Sequence, residues 1–247
     1  MESLKPVHDI SGIQSAYSGQ AVAQNYVQQR FDAELNRLLH DRQIAVLERI
    51  MNLTRPARTL EIAPGPGRIT CSVKSAGVLV CLEYNEGMIE QGRLACEGRP
   101  IWVRGNGFQL PFSQMFDLVY SFRFVRHFRR EDRKRLYAQI KTVLKPGGFF
   151  LMDAVNAKIS SPLRDGREEE YPIYDKLYSP DELQKELTEA GLSPIDLFPV
   201  QRCFRWQFRS QVMLGPRANW VNRVVIRSLE RLSRADGLEW VVTCRYG

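Results

Sequence analysis

The stretch Thr59-Leu60-Glu61-Ile62-Ala63-Pro64-Gly65-Pro66-Gly67-Arg68-Ile69-Thr70 constrains the fold of this chain more than any other. It reads as a short apolar strand, a glycine-bearing turn, and the start of a helix running from about Arg68 to Ser75. Glycine adopts backbone conformations that other residues avoid, and its missing Cβ lets a ligand approach the chain closely. A corner of this kind, closing a strand and opening a helix, belongs to nucleotide-binding sheets wound on both faces. Set against the dinucleotide fingerprint G-x-G-x-x-G, Gly65 and Gly67 supply the first two glycines, but Thr70 stands at the third. A nicotinamide or flavin dinucleotide is therefore a weak reading.

The chain beyond the corner alternates strands with helices. Val78-Leu79-Val80-Cys81-Leu82 is a near-continuous apolar run, as suits a central parallel strand covered on both faces, and it ends in Glu83-Tyr84-Asn85. Ile101-Trp102-Val103-Arg104 runs into Gly105-Asn106-Gly107-Phe108-Gln109-Leu110-Pro111-Phe112. Phe116-Asp117-Leu118-Val119-Tyr120-Ser121 is a fourth strand, leading to Phe122 and His127. A charged helix from Glu131 to Val143 stops at Lys145-Pro146-Gly147-Gly148, and Phe149 to Ala154 forms strand five.

These motifs, in this order and at these distances, resemble those of the class I S-adenosylmethionine-dependent methyltransferases of small-molecule type. Glu61-Ile62-Ala63-Pro64-Gly65-Pro66-Gly67 resembles the E/D-x-G-x-G-x-G motif, with Ala63 in place of its first glycine. Glu83 stands where the family's acid grips the two ribose hydroxyls; a carboxylate accepts two hydrogen bonds from a vicinal diol. Met88 resembles the apolar contact to adenine. Asn106 takes the place of an Asp that accepts from the adenine amino group, and Gly107 and Phe108 would lie against the ring.

The resemblance implies S-adenosylmethionine as cofactor and S-adenosylhomocysteine as product. The implied cofactor site comprises Tyr17, Tyr26, Arg30, Glu61, Ala63, Pro64, Gly65, Gly67, Glu83, Tyr84, Met88, Asn106, Gly107, Phe108, Ser121 and Phe122. His127 has two readings: a general base, since imidazole titrates near neutrality, or a structural histidine that orients its loop. The fold expected is α/β, a doubly wound, seven-stranded Rossmann-like sheet of order 3-2-1-4-5-7-6 with its last strand antiparallel. Residues 1–55 would form an N-terminal helical cap, helical from Gln14 to about Asn52. Residues 56–247 would form the methyltransferase domain, with an insertion at about 204–236.

Between Gly148 and the end of the chain the readings are structural. Residues 156–178 are polar and read as irregular. Ser179-Pro180-Asp181-Glu182 opens a helix with a capping box, and Gly191 closes it. Strands are expected near Pro194–Pro199 and at Leu238–Cys244, with a helix from Asn219 to Arg234 between them. On that helix Arg223, Arg227, Arg231 and Arg234 share one stripe. Trp220, Val221, Val224, Val225, Leu229 and Leu232 occupy the rest; the insertion reads most simply as extra cover for the core, with a substrate wall or a helix lying on a membrane surface as the alternatives.

Composition narrows the function classes. The hydrophobic fraction is 44%, and no apolar run approaches the ~20 residues that span a bilayer. Without a signal-peptide core the chain is expected to be cytoplasmic. The five cysteines are scattered and odd in number, and read as reduced thiols; no metal site is expected. The net charge of +7 is concentrated in residues 201–247, which hold nine Arg and three acids. A small-molecule acceptor of anionic or amphipathic chemistry is the favoured partner, on a monomer or homodimer. The rivals are an RNA methyltransferase using the basic C-terminal region and a non-catalytic cofactor-binding protein. Against RNA, no N/D-P-P-Y/F motif is present.

Overall fold

The apolar runs form the centre of a twisted, largely parallel sheet. A computed structural model describes residues 11–12, 33–75 and 77–247. Its strands are β1 (Arg58–Ile62), β2 (Val78–Glu83), β3 (Ile101–Arg104), β4 (Phe116–Ser121), β5 (Leu144–Asn156), β6 (Leu177–Tyr178), β7 (Leu192–Arg202) and β8 (Gly237–Tyr246). They lie in the order β3-β2-β1-β4-β5-β8-β7, and β8 runs antiparallel to both its neighbours. This is the expected topology, with the two-residue β6 added beside β5.

Helices cover both faces because the strands are apolar on both. On one face, α1 (Glu34–Thr54) and α2 (Glu86–Ala95) pack Leu39, Leu47, Met51 and Ile89 against Leu79, Cys81, Leu118 and Leu151. On the other, α3 (Arg130–Val143) and α5 (Pro180–Glu189) pack Tyr137, Ile140, Leu183 and Leu187 against Leu60, Val119, Phe150 and Val242. The capping box at Ser179 and Glu182 forms as expected, and Gly191 follows α5 with φ +75°.

Four local expectations are corrected. The chain after the glycine corner is a series of hydrogen-bonded turns and not a regular helix. Two prolines and two glycines at 64–67 leave few donors in helical conformation, and a costly nucleus fails to propagate. Cys71 and Cys96 are joined in a disulfide, whereas Cys81, Cys203 and Cys244 are free. The pairing was invisible in the sequence because 25 residues separate the two; the return of α2 along the sheet brings them together. Residues 156–178 include α4 (Ala157–Arg164), whose first turn is capped by Asn156 Oδ1 accepting from the Lys158 N–H.

The fourth correction concerns the insertion. It is a helical hairpin of α6 (Phe204–Leu214) and α7 (Asn219–Leu232), so Arg234 lies beyond the helix. The side chains that α7 buries are Asn222, Ile226 and Glu230, while Trp220, Val224 and Leu232 are exposed. Of the apolar residues of this helix, Ile226 packs against Leu35 and Leu38 of α1, whereas Trp220, Val224 and Leu232 do not cover the core. No helix among the described residues is long and apolar enough to cross a membrane.

Candidate active site

The site is built at the carboxyl ends of β1, β2 and β4, where the strand order reverses and a crevice opens. One cavity there is lined by the corner residues Glu61 to Pro66, by Arg68 and Ile69, by Leu82 to Asn85 and Met88, by Gly105 to Phe108, and by Phe122 to Phe124, His127 and Phe128. Thirteen of the residues expected at a cofactor site are in the described part of the chain, and most of them face this cavity. Glu61, Ala63, Pro64, Gly65, Glu83, Tyr84, Met88, Asn106, Gly107, Phe108 and Phe122 all do so. Tyr17, Tyr26 and Arg30 lie outside the described residues.

Two expected residues sit elsewhere. Gly67 has φ +83°, and a Cβ there would meet Cys71 Sγ and Cys96 Sγ at 2.9 Å, so its role is to let the disulfide pass under the corner. Ser121 is buried, and its hydroxyl donates to the Ile62 carbonyl at 2.8 Å, tying β4 to β1. Neither lines the cavity. Gly65 does: at φ +60° it has no heavy atom within 4 Å of a would-be Cβ, so any side chain there would fill space open to a ligand.

Ala63 adopts φ 56° at the position where the related motif carries glycine. Left-handed backbone costs an L-residue with a Cβ roughly 1–2 kcal/mol. Its N–H donates to the Leu82 carbonyl, which holds it in place. Ala63→Gly is therefore expected to raise stability by up to about 1 kcal/mol, since the strain relieved exceeds the extra unfolded-state entropy of glycine. Urea denaturation checks this; a variant less stable than the parent would show that the strain is absent.

Two carboxylates face the cavity from below. Glu61 is buried, and its Oε2 accepts from the Thr70 hydroxyl at 2.6 Å and the Tyr120 hydroxyl at 2.8 Å. Burial pushes its pKa up from 4.5 to about 7, against the pull of those hydrogen bonds and of Arg68. Glu83 receives three backbone N–H groups, from Gly65 at 3.0 Å, Tyr84 at 2.8 Å and Asn85 at 3.0 Å. Burial raises its pKa too, and these bonds oppose the rise. Among the described residues Oε2 accepts only the Gly65 N–H, so a second lone pair is open to a ligand there.

The raised pKa of Glu61 has a consequence for stability. Its unfolded value lies near 4.5 and its folded value near 7, so between these the folded state holds more protons. Stability thus falls as pH rises through this window, and the penalty is complete above it. Glu61→Gln is expected to raise the stability of the ligand-free protein by roughly 1–2 kcal/mol at pH 8 and hardly at all at pH 5, after one lost hydrogen bond is deducted. Equal effects at both pH values in urea melts would remove Glu61 as the titrating group.

Asn106 is engaged locally. Its Oδ1 accepts from the Phe108 N–H at 2.9 Å, shaping the loop and leaving one lone pair. Phe108, Phe124 and Phe128 pack edge to face and form the aromatic end of the cavity.

His127 is 6% exposed and lies on the cavity wall. Its Nδ1 is 3.0 Å from Asp175 Oδ1 and 3.0 Å from the Tyr174 carbonyl oxygen. Both partners only accept, so Nδ1 carries a proton. Asp175 is ionised: burial works to raise its pKa, but Arg126, His127 and Arg164 hold it well below the usual carboxylate range. The sequence carried no sign of Asp175, which sits 48 positions away in a segment without periodicity. Arg68, Asn85, Arg123, Phe124 and Phe128 also line the cavity without having been anticipated. Arg68, in the turns after the corner, is the one that a closer count of the motif would have reached.

The fold and the motifs have counterparts. Residues 60–152 match the family model described as "Methyltransferase domain". That match and the sheet order give this part of the chain the motif order and fold of the class I S-adenosylmethionine-dependent methyltransferases. The protein is similar to solved structures of this class. One is an S-adenosylmethionine-dependent methyltransferase of Thermotoga maritima, a possible histamine N-methyltransferase, with TM-score 0.62, 17% identity, and 92% of this chain and 98% of that one covered. Another is the magnesium protoporphyrin IX methyltransferase of Synechocystis with bound S-adenosylhomocysteine: TM-score 0.66, 8% identity, coverage 97% and 100%. A third is a Haloferax volcanii methyltransferase in complex with a methyltransferase activator: TM-score 0.61, 17% identity, coverage 92% and 96%. At these identities the likeness is one of fold. No curated protein matches the chain.

Proposed function

We propose that this protein transfers a methyl group from S-adenosylmethionine to a small-molecule acceptor, with His127 as general base and Asp175 as its positioning residue. The observation that carries this reading is convergence: the glycine corner, two carboxylates and His127, with Asp175 behind it at 3.0 Å, meet at one cavity. The cavity suits the cofactor, because Gly65 leaves room at the corner and Glu61 and Glu83 face it with negative charge or acceptor lone pairs. When bound, S-adenosylmethionine supplies an electrophilic methyl group on a sulfonium. Glu83 would hold the ribose diol through Oε2, and Glu61 would attract a cationic part of the ligand. Met88, Phe108 and the loop shaped by Asn106 would form the adenine seat. At the other end, His127 Nε2 would take the proton of an acceptor hydroxyl or amine, and the ionised Asp175 would stabilise the resulting imidazolium.

The experiment is a screen of acceptors with tritiated cofactor, after calorimetry with S-adenosylhomocysteine. His127→Ala should leave cofactor affinity within about twofold and lower turnover roughly 10²–10⁴-fold, the range for general acid–base catalysis. Failure to bind S-adenosylhomocysteine would sink the whole reading; full turnover by His127→Ala would sink only the assignment of the base.

The structure also bears on RNA. Arg223 and Arg227 are paired with Glu34, at 3.3 and 2.9 Å, and Arg227 reaches Asp41 at 2.7 Å. Half of the arginine stripe is thereby neutralised within the fold, which favours a small acceptor over a phosphate backbone.

A further inference from the structure

The α6–α7 hairpin buries more polar than apolar side chains: Gln207 and Asn222 are fully buried, Ser210 and Glu230 nearly so, and Ile226 packs against Leu35 and Leu38. The polar groups bond within the hairpin, although Gln207 Oε1 has no partner among the described residues. Gln207 Nε2 donates to Glu230 Oε2 at 3.1 Å, the Ser210 hydroxyl donates to Asn222 Oδ1 at 2.9 Å, and Glu230 Oε2 also accepts the Arg202 N–H at 2.7 Å. The outward positions of α6 are Arg205, Trp206, Phe208, Arg209, Val212 and Met213, spaced as one helical face. Trp206 is 62% exposed, Met213 65%, and on α7 Trp220 is 74% and Leu232 83% exposed. Globular proteins place large apolar side chains inward, and a contiguous apolar patch on the outside marks a surface that meets something.

We propose that the outward face of this hairpin docks on an anionic lipid bilayer. The charge pattern identifies the occupant. Residues 204–234 hold seven arginines, two of which (Arg223 and Arg227) pair with acids of α1, and a single acid of their own, Glu230, which is buried. The exposed face therefore combines tryptophan, aliphatic side chains and arginine with no negative charge. That combination adsorbs at a headgroup boundary: aromatic rings partition into the interface, and guanidinium groups pair with lipid phosphates. A two-fold contact with a second copy would set the same patch against itself, arginine facing arginine. A nucleic acid would satisfy the arginines and aromatics but leave Val212, Met213, Val224 and Leu232 without partners. Docking by this face needs no spanning helix, because the hairpin lies along the surface.

The test is co-sedimentation of the full-length protein with vesicles of equimolar phosphatidylcholine and phosphatidylglycerol, beside vesicles of phosphatidylcholine alone. The protein is expected to sediment with the anionic vesicles and stay in solution with the neutral ones. Its tryptophan emission should shift to the blue on binding, since Trp102 and Trp240 are already buried and Trp206 and Trp220 report the change. The variant W206S/W220S should partition roughly 30-fold or more weakly. Its affinity for S-adenosylhomocysteine should be unchanged, which shows that it is folded and separates docking from the cofactor site. The proposal is overturned if the wild type stays in solution with anionic vesicles at low salt, or if the variant binds them equally well. It is overturned equally if ultracentrifugation shows a dimer, or filter binding an RNA complex, that the variant abolishes.

Discussion

Replacing Arg126 with methionine is expected to lower the stability of this protein by about 3–5 kcal/mol at neutral pH. Arg126 is 2% exposed and stands among three carboxylates: Asp153 at 2.9 Å, Asp175 at 3.0 Å and Glu239 at 2.9 Å. These come from β5, from the segment before β6 and from β8, so one guanidinium ties together three stretches distant in sequence. Methionine keeps most of the volume but strands Asp153 and Glu239 and leaves Asp175 to Arg164 and His127, and an uncompensated buried charge is what makes breaking such a pair costly. The pH dependence has a definite sign. Burial works to raise Glu239 and Asp175, but Arg126, together with Arg123 at Glu239 and with His127 and Arg164 at Asp175, outweighs it and holds both below the ordinary range. Their contribution is therefore present above the unfolded carboxylate range and lost as pH falls through the folded values. Asp153 moves the other way, because its burial outweighs the attraction of Arg126. In Arg126→Met, Asp153 and Glu239 should rise above their unfolded values, while Asp175 keeps Arg164 and His127, so the difference from wild type is greatest at pH 8 and narrows toward pH 4. Urea denaturation at several pH values measures this; a constant difference across the range would show that the guanidinium acts through packing alone.

Glu83→Ala is expected to weaken S-adenosylhomocysteine binding by about 2–4 kcal/mol, the cost of losing charged hydrogen bonds to a buried acceptor. Part of that loss would come from the protein itself. The Glu83 carboxylate accepts from Gly65, Tyr84 and Asn85, so it holds the glycine corner to the end of β2 before any ligand arrives. Glu83→Gln separates the two parts: its amide oxygen can keep one or two of the backbone bonds while the charge is lost. An intermediate loss of affinity is expected for glutamine. Calorimetry on the two variants, with a thermal melt to confirm folding, is the measurement. Unchanged affinity in a folded Glu83→Ala would remove this residue from the ribose site.

Much of this was legible in the chain itself. Apolar runs mark the strands, because a strand covered on both faces must be apolar on both, and the resemblance of the motifs to the methyltransferases implied their order in the sheet. Eleven cavity-lining residues were readable for the same reason: they sit on the loops that directly follow β1, β2, β3 and β4, within a few residues of a recognisable strand end. What lies far apart in sequence was not readable. The Asp175 partner of His127, the Cys71–Cys96 bridge and the carboxylates around Arg126 are all contacts between separate elements, decided by how the helices return across the sheet. The α6–α7 hairpin shows the limit most clearly. Spacing placed its arginines and its apolar residues on separate faces, but a helix with polar groups on both sides has no inward face until something accepts them. Gln207 found a hydrogen-bond partner in Glu230, and Asn222 found partners in Ser210 and Gln211; these bonds, available only in the folded chain, turned the polar side chains inward and the tryptophans outward.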